Sequence, residues 1–492
     1  MNASHPLRIL EAVRYIAQYM DPAASLRVCR VWRDMFRPYL WRSITLLAET
    51  PLPTNRSLDV ALAHHTLIQD LTVVGRQNNM PGIYLPNLLQ LTLNDIFTPA
   101  RPPPSIRFHE SFTSLTTLVL DGVAPAQRTW ELLPNLHSLS KLVMTSGEVR
   151  AGDAALFWGA CGRLQFLSLT RVHIQGGPIP EVVSFHGMQH AAFFGISRTD
   201  AGFDGNVQLD MVLRCPRLQT VDWESPSVFN VTTPVRQGNW PYLETLFLLL
   251  RLRDQDLVRV LERSSVAGGL RRLMLRHAHL GVHSARQLAF HSPTLVEADL
   301  EHCVSLISTA VRDMLCTCHN LRSLRTRTVL ARDIALGGPW VCQQLQELTI
   351  WIRFHDDEVQ YQPVVFHRLS TLIHLRELKL KIPENDQYHQ TGMLDFRMAH
   401  GVDQLASLQQ LETLCFESSP QEVCVQWQEA TWLVQTLPLR YLFGDLNPDV
   451  DVDVDRVFKT FLRDQGIMTS WYALEELFGH TVTPKPPCPS IN

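Results

Sequence analysis

Apolar and polar positions along this chain follow one short phrase, L-x-x-L-x-L. Clean copies are Leu88–Leu93, Leu115–Leu120, Leu164–Leu169, Leu243–Leu248, Leu270–Leu275, Leu345–Ile350, Leu375–Leu380 and Leu411–Phe416. Degenerate copies begin at Ile68, Leu139, Met188, Leu218, Leu295, Leu321 and Leu439. The second half of the phrase alternates with period two, which predicts a short strand with one buried and one open face. The intervening segments carry helical spacing, as in Asp256–Glu262 and Ser284–Phe290. No single strand–helix unit can cover its own apolar face, so the units must stack.

The copies recur mostly every ~24 to 30 residues, the period of leucine-rich repeats. The chain resembles that class over residues 46–445. The resemblance implies an α/β fold: a curved leucine-rich-repeat solenoid with a parallel inner sheet and outer helices. Cys161, Cys215, Cys318 and Cys342 each stand three residues before the first leucine of a copy. A residue recurring at one repeat position is expected to be a small buried side chain near the helix end. Cys316-Thr-Cys318-His319 therefore reads as packing, because no second pair at zinc-ligand spacing completes a four-ligand set. Two insertions break the rhythm, a proline-rich loop at Thr98–Arg107 and a longer connection at Pro383–Gly401.

A different pattern precedes the repeats. Leu10, Val13, Ile16, Ala17 and Met20 lie at helical spacing, and Asp21-Pro22 supplies an N-cap with proline in the first turn of a second helix. Pro6-Leu7-Arg8-Ile9-Leu10, Asp21-Pro22, Val28-Cys29-Arg30-Val31-Trp32-Arg33 and Leu40-Trp41 resemble the F-box motif in order and character. The opening lacks the motif's acidic residue before Ile-Leu. The stretch after Asp21-Pro22 is short by about three residues, close to one helical turn.

The resemblance implies that residues 1–45 form a small helical F-box. It would dock on the Skp-family adaptor of a cullin–RING ubiquitin ligase, through anchors expected at Pro6, Leu7, Ile9, Leu10, Ile16, Leu26 and Trp32. The repeats would then hold a protein substrate, making the chain a non-catalytic receptor of an SCF-type ligase. The other reading is a non-ligase scaffold whose N-terminal helices only cap the open end of the solenoid. Residues 446–492 are expected to hold a C-terminal helical cap, with helices at Arg456–Asp464 and Trp471–Phe478, and a loose proline-rich tail.

Within each phrase the third, fifth and seventh residues alternate with buried ones and should face the inner side. Those positions are apolar in the middle of the chain. Phe166, Phe194, Phe247, Leu249 and Met274, together with Trp351, form the expected substrate-binding set. Later copies alternate in charge, predicting sideways pairs Arg272–Glu297, Arg276–Glu301 and Glu301–Arg327 across neighbouring strands.

Composition narrows the function. The 492 residues carry a formal net charge of -4, without the basic excess expected of a nucleic-acid-binding protein. Arg8, Glu11 and Arg14 interrupt the apolar segment that a secretory signal needs, and no apolar run approaches bilayer length. Ten cysteines spread along the chain fit a reducing compartment, so a cytoplasmic or nuclear location is expected. No phosphate loop, nucleophile elbow or zinc-protease helix is present. Asp449, Asp451, Asp453 and Asp455 lack the glycine and glutamate of a calcium loop. The sequence thus predicts no enzyme, no metal and no cofactor, and neither nucleic-acid nor membrane partners.

Overall fold

The computed structural model describes residues 41–47, 63–74, 85–94, 112–122, 127–175, 179–194, 208–224 except 209 and 213, 240–249 except 241, 251–264, 268–303, 305–355, 358–381, 394–417, 427–443 and 460–468. The anchors expected at Pro6, Leu7, Ile9, Leu10, Ile16, Leu26 and Trp32, the insertion at Thr98–Arg107 and the helix at Trp471–Phe478 lie outside these residues. The chain divides into two compact units, residues 1–242 and 243–492.

In the first unit, β1 (Ser43–Leu47), β2 (Asp70–Val74), β3 (Gln90–Asn94), β4 (Thr117–Asp121), β5 (Lys141–Thr145), β7 (Phe166–Thr170), β9 (His190–Phe194) and β10 (Thr220–Glu224) lie side by side in that order, each parallel to the next. A separate parallel pair, β6 (Glu148–Val149) and β8 (His173–Ile174), was not legible in the phrase. The second unit orders β11 (Thr245–Leu249), β12 (Arg272–Arg276), β13 (Glu297–His302), β14 (Ser323–Leu330), β15 (Glu347–Arg353), β16 (Glu377–Lys381), β17 (Thr413–Glu417) and β18 (Tyr441–Phe443) in the same parallel fashion. From β2 onward these main-sheet strands begin two residues after the first leucine of a phrase. β1 begins at Ser43, inside the segment assigned to the box.

The phrase explains the stacking. Leu115, Leu118 and Leu120 are fully buried, and most β-strands of the first unit alternate half-buried and buried residues. Each buried leucine contributes about 1.5–3 kcal/mol, and successive repeats continue the same leucine stack. The turn before most strands repeats one hydrogen bond. The N–H of the phrase's first residue donates to the carbonyl three residues back, as from Leu115 to Phe112, Leu164 to Cys161, Leu321 to Cys318, Leu345 to Cys342 and Leu411 to Leu408. In most repeats that slot holds a buried residue, Leu85, Phe112, Leu136, Cys161, Phe185, Cys215, Trp240, Cys318, Cys342, Leu372 or Leu408, while His65, Ser292 and Thr436 in the same slot are half-buried. The cysteines therefore occupy a hydrophobic core position. Burial pushes the Cys318 thiol up to about 11 and the Cys342 thiol up to about 12.

Successive repeats are also tied by their backbones. The carbonyl of the phrase's second residue accepts two N–H groups from the next repeat, as Gln165 does from Gln189 and His190, and Arg322 from Gln346 and Glu347. At the strand's exit the eighth residue adopts a left-handed conformation in Gly122, Ser146, Arg171 and His277, with φ of 68°, 52°, 52° and 61°. There its N–H reaches the following strand: Gly122 to Thr145, Ser146 to Thr170, Arg171 to Phe194 and His277 to His302. The backbone bond recovers a conformation that costs a non-glycine residue about 1–2 kcal/mol.

Helices cover the buried face. The first unit has α1 (Gln127–Leu132) and α2 (Ala154–Cys161), where Trp130, Phe157, Trp158 and Phe185 form a buried aromatic cluster with edge-on contacts of 4.8 to 6.4 Å. The second has α3 (Asp254–Ser264), α4 (Val282–Leu288), α5 (Ser308–Thr317), α6 (Ala331–Leu336), α7 (Gln362–Ser370) and α8 (Trp427–Thr436). The helices expected at Asp256–Glu262 and Ser284–Phe290 correspond to α3 and to α4 with its 3₁₀ continuation Ala289–His291. Helical turns at 460–464 fall within the predicted Arg456–Asp464 segment.

Candidate functional site

The sheet face turned away from the buried leucines carries the third, fifth and seventh residues of each phrase. In the first unit its main feature is an aromatic stack. The rings of Phe166 and His190, opposite each other on β7 and β9, lie 4.0 Å apart with their planes almost parallel. Lys141 of β5 places its ammonium 4.5 Å from the Phe166 centroid, on the open face of the same row. Burial and the Lys141 charge lower the His190 pKa to about 4, so at neutral pH the ring is uncharged and stacks without a charge penalty. Phe194 is half-buried at the end of β9, opposite Thr170. Asp222 on β10 is pushed up to about 6 by burial and by Glu224.

In the second unit the open face forms a broad depression of about 310 Å³, lined by residues of β11 to β15. One row crosses it in register: Phe247, Met274, Asp299 and Arg325. Beside it runs Arg272, Glu297, Ser323 and Glu347. Arg272 Nε lies 3.2 Å from Glu297, as the charge alternation predicts. Arg325 turns the other way, 3.8 Å from Glu347, which also accepts a hydrogen bond from the Ser323 hydroxyl at 3.0 Å. Asp299 accepts only a long bond of 3.3 Å from the Glu301 N–H, and it has no ion pair among the described residues. These exposed pairs are each worth at most about 1 kcal/mol. They set the charge pattern of the face more than its stability.

Of the residues expected to meet a substrate, Phe247 and Met274 line this depression. Leu249 is half-buried at the end of β11, opposite Arg276. Phe166 and Phe194 belong to the first unit and its stack. Trp351 departs from expectation: it is 6% exposed and offers no docking surface. A register shift accompanies this. β14 carries an extra residue between Arg325 and Thr328, so Trp351 stands opposite Thr328, and β15 is buried continuously from Leu348 to Ile352. A second irregularity, between Met274 and Arg276, sets Arg276 opposite His302 instead of the expected Glu301. The periodicity did not mark Lys141 or Asp299 as site residues. The carboxylates at the third and fifth phrase positions of β13, Glu297 and Asp299, and at the third of β15, Glu347, were the available signal for Asp299.

Among the described residues no group of three or more His, Cys, Asp and Glu side chains could hold a metal ion. No helix there is long and apolar enough to cross a membrane.

Parallel strands stacked at this period, each followed by its own return segment, give the chain the fold of a leucine-rich-repeat scaffold. No family model and no curated protein matches the sequence. Among solved structures the chain is similar to an internalin from Listeria monocytogenes, at 13% identity and TM-score 0.46, over 74% of this chain and 89% of that one. It is also similar to the Toll–Spatzle complex from Drosophila, at 13% identity and TM-score 0.46, over 82% of this chain and 54% of that one. The leucine-rich-repeat domain of APL1 aligns at 12% identity and TM-score 0.37, over 82% and 86%. At these values the likeness is one of fold alone.

Proposed function

We propose that this chain is the substrate-binding subunit of an SCF-type ubiquitin ligase. Residues 1–45 bind a Skp-family adaptor and, through it, the cullin core. The open face of the repeats holds a protein substrate. The chain performs no chemistry itself; it raises the local concentration of acceptor lysines near a ubiquitin-loaded enzyme.

The observation that carries this reading is the ordered run Pro6–Leu10, Asp21-Pro22, Val28–Arg33 and Leu40-Trp41, which leads directly into β1 at Ser43. Its apolar residues Pro6, Leu7, Ile9, Leu10, Ile16, Leu26 and Trp32 are the anchors that would enter the adaptor's groove. The capped-scaffold reading draws on a different contact. The Trp41 ring packs 4.4 Å from the His64 ring, so the end of the N-terminal motif already touches the repeat array.

Capture on immobilised Skp-family adaptor separates the two readings. The intact chain is compared with a chain lacking residues 1–45 and with a Leu10→Asp, Trp32→Ala double variant, each checked for folding by circular dichroism. Retention of the intact chain alone supports the receptor. Failure of the folded intact chain to bind leaves the scaffold.

A further inference from the structure

The depression on the second unit has a chemistry of its own. Five charged side chains line it, the carboxylates of Glu297, Asp299 and Glu347 and the guanidiniums of Arg272 and Arg325. Arg272 is committed to Glu297 at 3.2 Å. Arg325 stands in register between Asp299 on one side and Thr349 on the other, and its guanidinium reaches Glu347. It can neutralise Asp299 or Glu347 but not both. Whichever carboxylate it takes, one negative charge is left over in the lining. In the structure Arg325 takes Glu347, which leaves Asp299 over, and two half-buried apolar side chains, Met274 and Phe247, lie in the same cross-strand row as Asp299.

We propose that this depression binds a partner protein segment of the pattern apolar–any–basic, with its Lys or Arg paired to the Asp299–Glu347 side and its apolar residue seated on Phe247 and Met274. The proposal rests on the reading of the open face as the docking surface, and is independent of the adaptor-binding motif. The spacing follows from sheet geometry. Neighbouring strands lie about 4.8 Å apart, so the centre of the Phe247–Met274 pair is roughly 7 Å from the Asp299 position. An extended segment crossing the strands advances about 3.3 Å per residue, so side chains two apart, both pointing at the sheet, span that distance. A Lys or Arg is the matching occupant because its alkyl stem packs along Met274 while its head meets the unneutralised carboxylate. An acidic residue at the same place would add a fourth negative charge to the three already present.

The test uses the intact chain and three fluorescein-labelled peptide pools, degenerate except for two fixed residues: Leu-x-Arg, Leu-x-Glu and Ser-x-Arg. Fluorescence anisotropy is expected to give the Leu-x-Arg pool about tenfold tighter binding than either other pool. An Asp299→Asn, Glu347→Gln double variant, isosteric and uncharged, is expected to erase the Arg-over-Glu preference. It should keep the preference for Leu-x-Arg over Ser-x-Arg, whereas Met274→Glu should abolish that second preference. Equal or tighter binding of Leu-x-Glu, or no binding of any pool by the folded chain, overturns the proposal. So does a preference that survives the double variant. Adaptor capture is measured on the same intact chain: absence of the Leu-x-Arg preference with capture intact contradicts only the depression, and failed capture with that preference intact contradicts only the ligase reading.

Discussion

Asp254 opens α3, yet its carboxylate serves the next repeat. It accepts hydrogen bonds from the N–H groups of Gly281 and Ser284, both at 3.0 Å, from the N–H of His283 at 3.3 Å and from the Ser284 hydroxyl. The helix α4 has Gly281 at its N-cap and no side-chain cap of its own, so Asp254 satisfies its first orphan donors from 27 residues away in sequence. The fit is close: a Cβ on Gly281 would stand 2.8 Å from the Asp254 carboxyl carbon. Asp254→Ala removes a cap worth about 1–2 kcal/mol. It also strips the Ser284 N–H, on a fully buried residue, of its partner, at about 1 kcal/mol more. The expected loss is about 2–3 kcal/mol, with Asp254→Asn intermediate. Burial pushes the Asp254 carboxyl up, but the hydrogen bonds from Ser284, Gly281 and His283 outweigh it and hold the group below its ordinary 3.8. The folded pKa being depressed, this stabilisation is present above the unfolded value and fades as pH falls through the folded one. Urea unfolding followed by circular dichroism gives the global change. Hydrogen exchange at the Gly281, His283 and Ser284 amides reads the site directly. A change below about 0.5 kcal/mol with unaltered exchange would refute the reasoning, because water would then cap α4 as well as Asp254 does.

Other consequences are equally direct. His291 is fully buried, its Nδ1 accepting from the Leu270 N–H at 3.0 Å and its Nε2 donating to the Leu261 carbonyl at 3.1 Å, with burial lowering its pKa below 6.5. Stability should therefore fall as pH drops below 6.5, where the unfolded chain takes up the proton first; His291→Leu should flatten that slope and cost about 1–3 kcal/mol at pH 8, and an unchanged slope would contradict the assignment. Ser146→Gly should stabilise by about 0.5–1 kcal/mol in thermal melts, since φ at this site is +52°. Gly269→Ala should destabilise by more than about 2 kcal/mol, because φ is +97° and the new Cβ would sit 2.5 Å from the Thr294 hydroxyl. Trp158→Ala should cost about 3–5 kcal/mol, as the ring is 1% exposed within the aromatic cluster, and a loss under 1 kcal/mol would show that the cluster collapses without it.

The strands were legible because a residue pattern of period two, anchored by a leucine in a tight turn, leaves the backbone little choice. Even the degenerate phrases beginning at Ile68, Met188 and Leu439 place their strands as the clean ones do. The buried slot occupied by Cys161, Cys215, Cys318 and Cys342 was legible for the same reason, a fixed offset from that leucine. What the pattern missed depends on one-residue irregularities. An extra residue after Arg325 in β14 accompanies the burial of Trp351, and the shift after Met274 re-pairs Arg276. Neither carries a proline or glycine to announce it. The left-handed exit residue was hidden likewise, because Ser146, Arg171 and His277 are held by a backbone bond to the next repeat and not by their own preference. Asp299 stood out only once the structure showed the guanidinium opposite it, Arg325, turned to Glu347.

The central claim is that an adaptor-binding motif and a docking face share this chain. Size-exclusion chromatography with light scattering, on the intact chain mixed with purified Skp-family adaptor, tests it most directly. The account predicts a single species at the summed mass of one chain and one adaptor, absent when residues 1–45 are removed. Separate elution of both proteins, with the intact chain folded, would contradict it and leave a capped repeat scaffold.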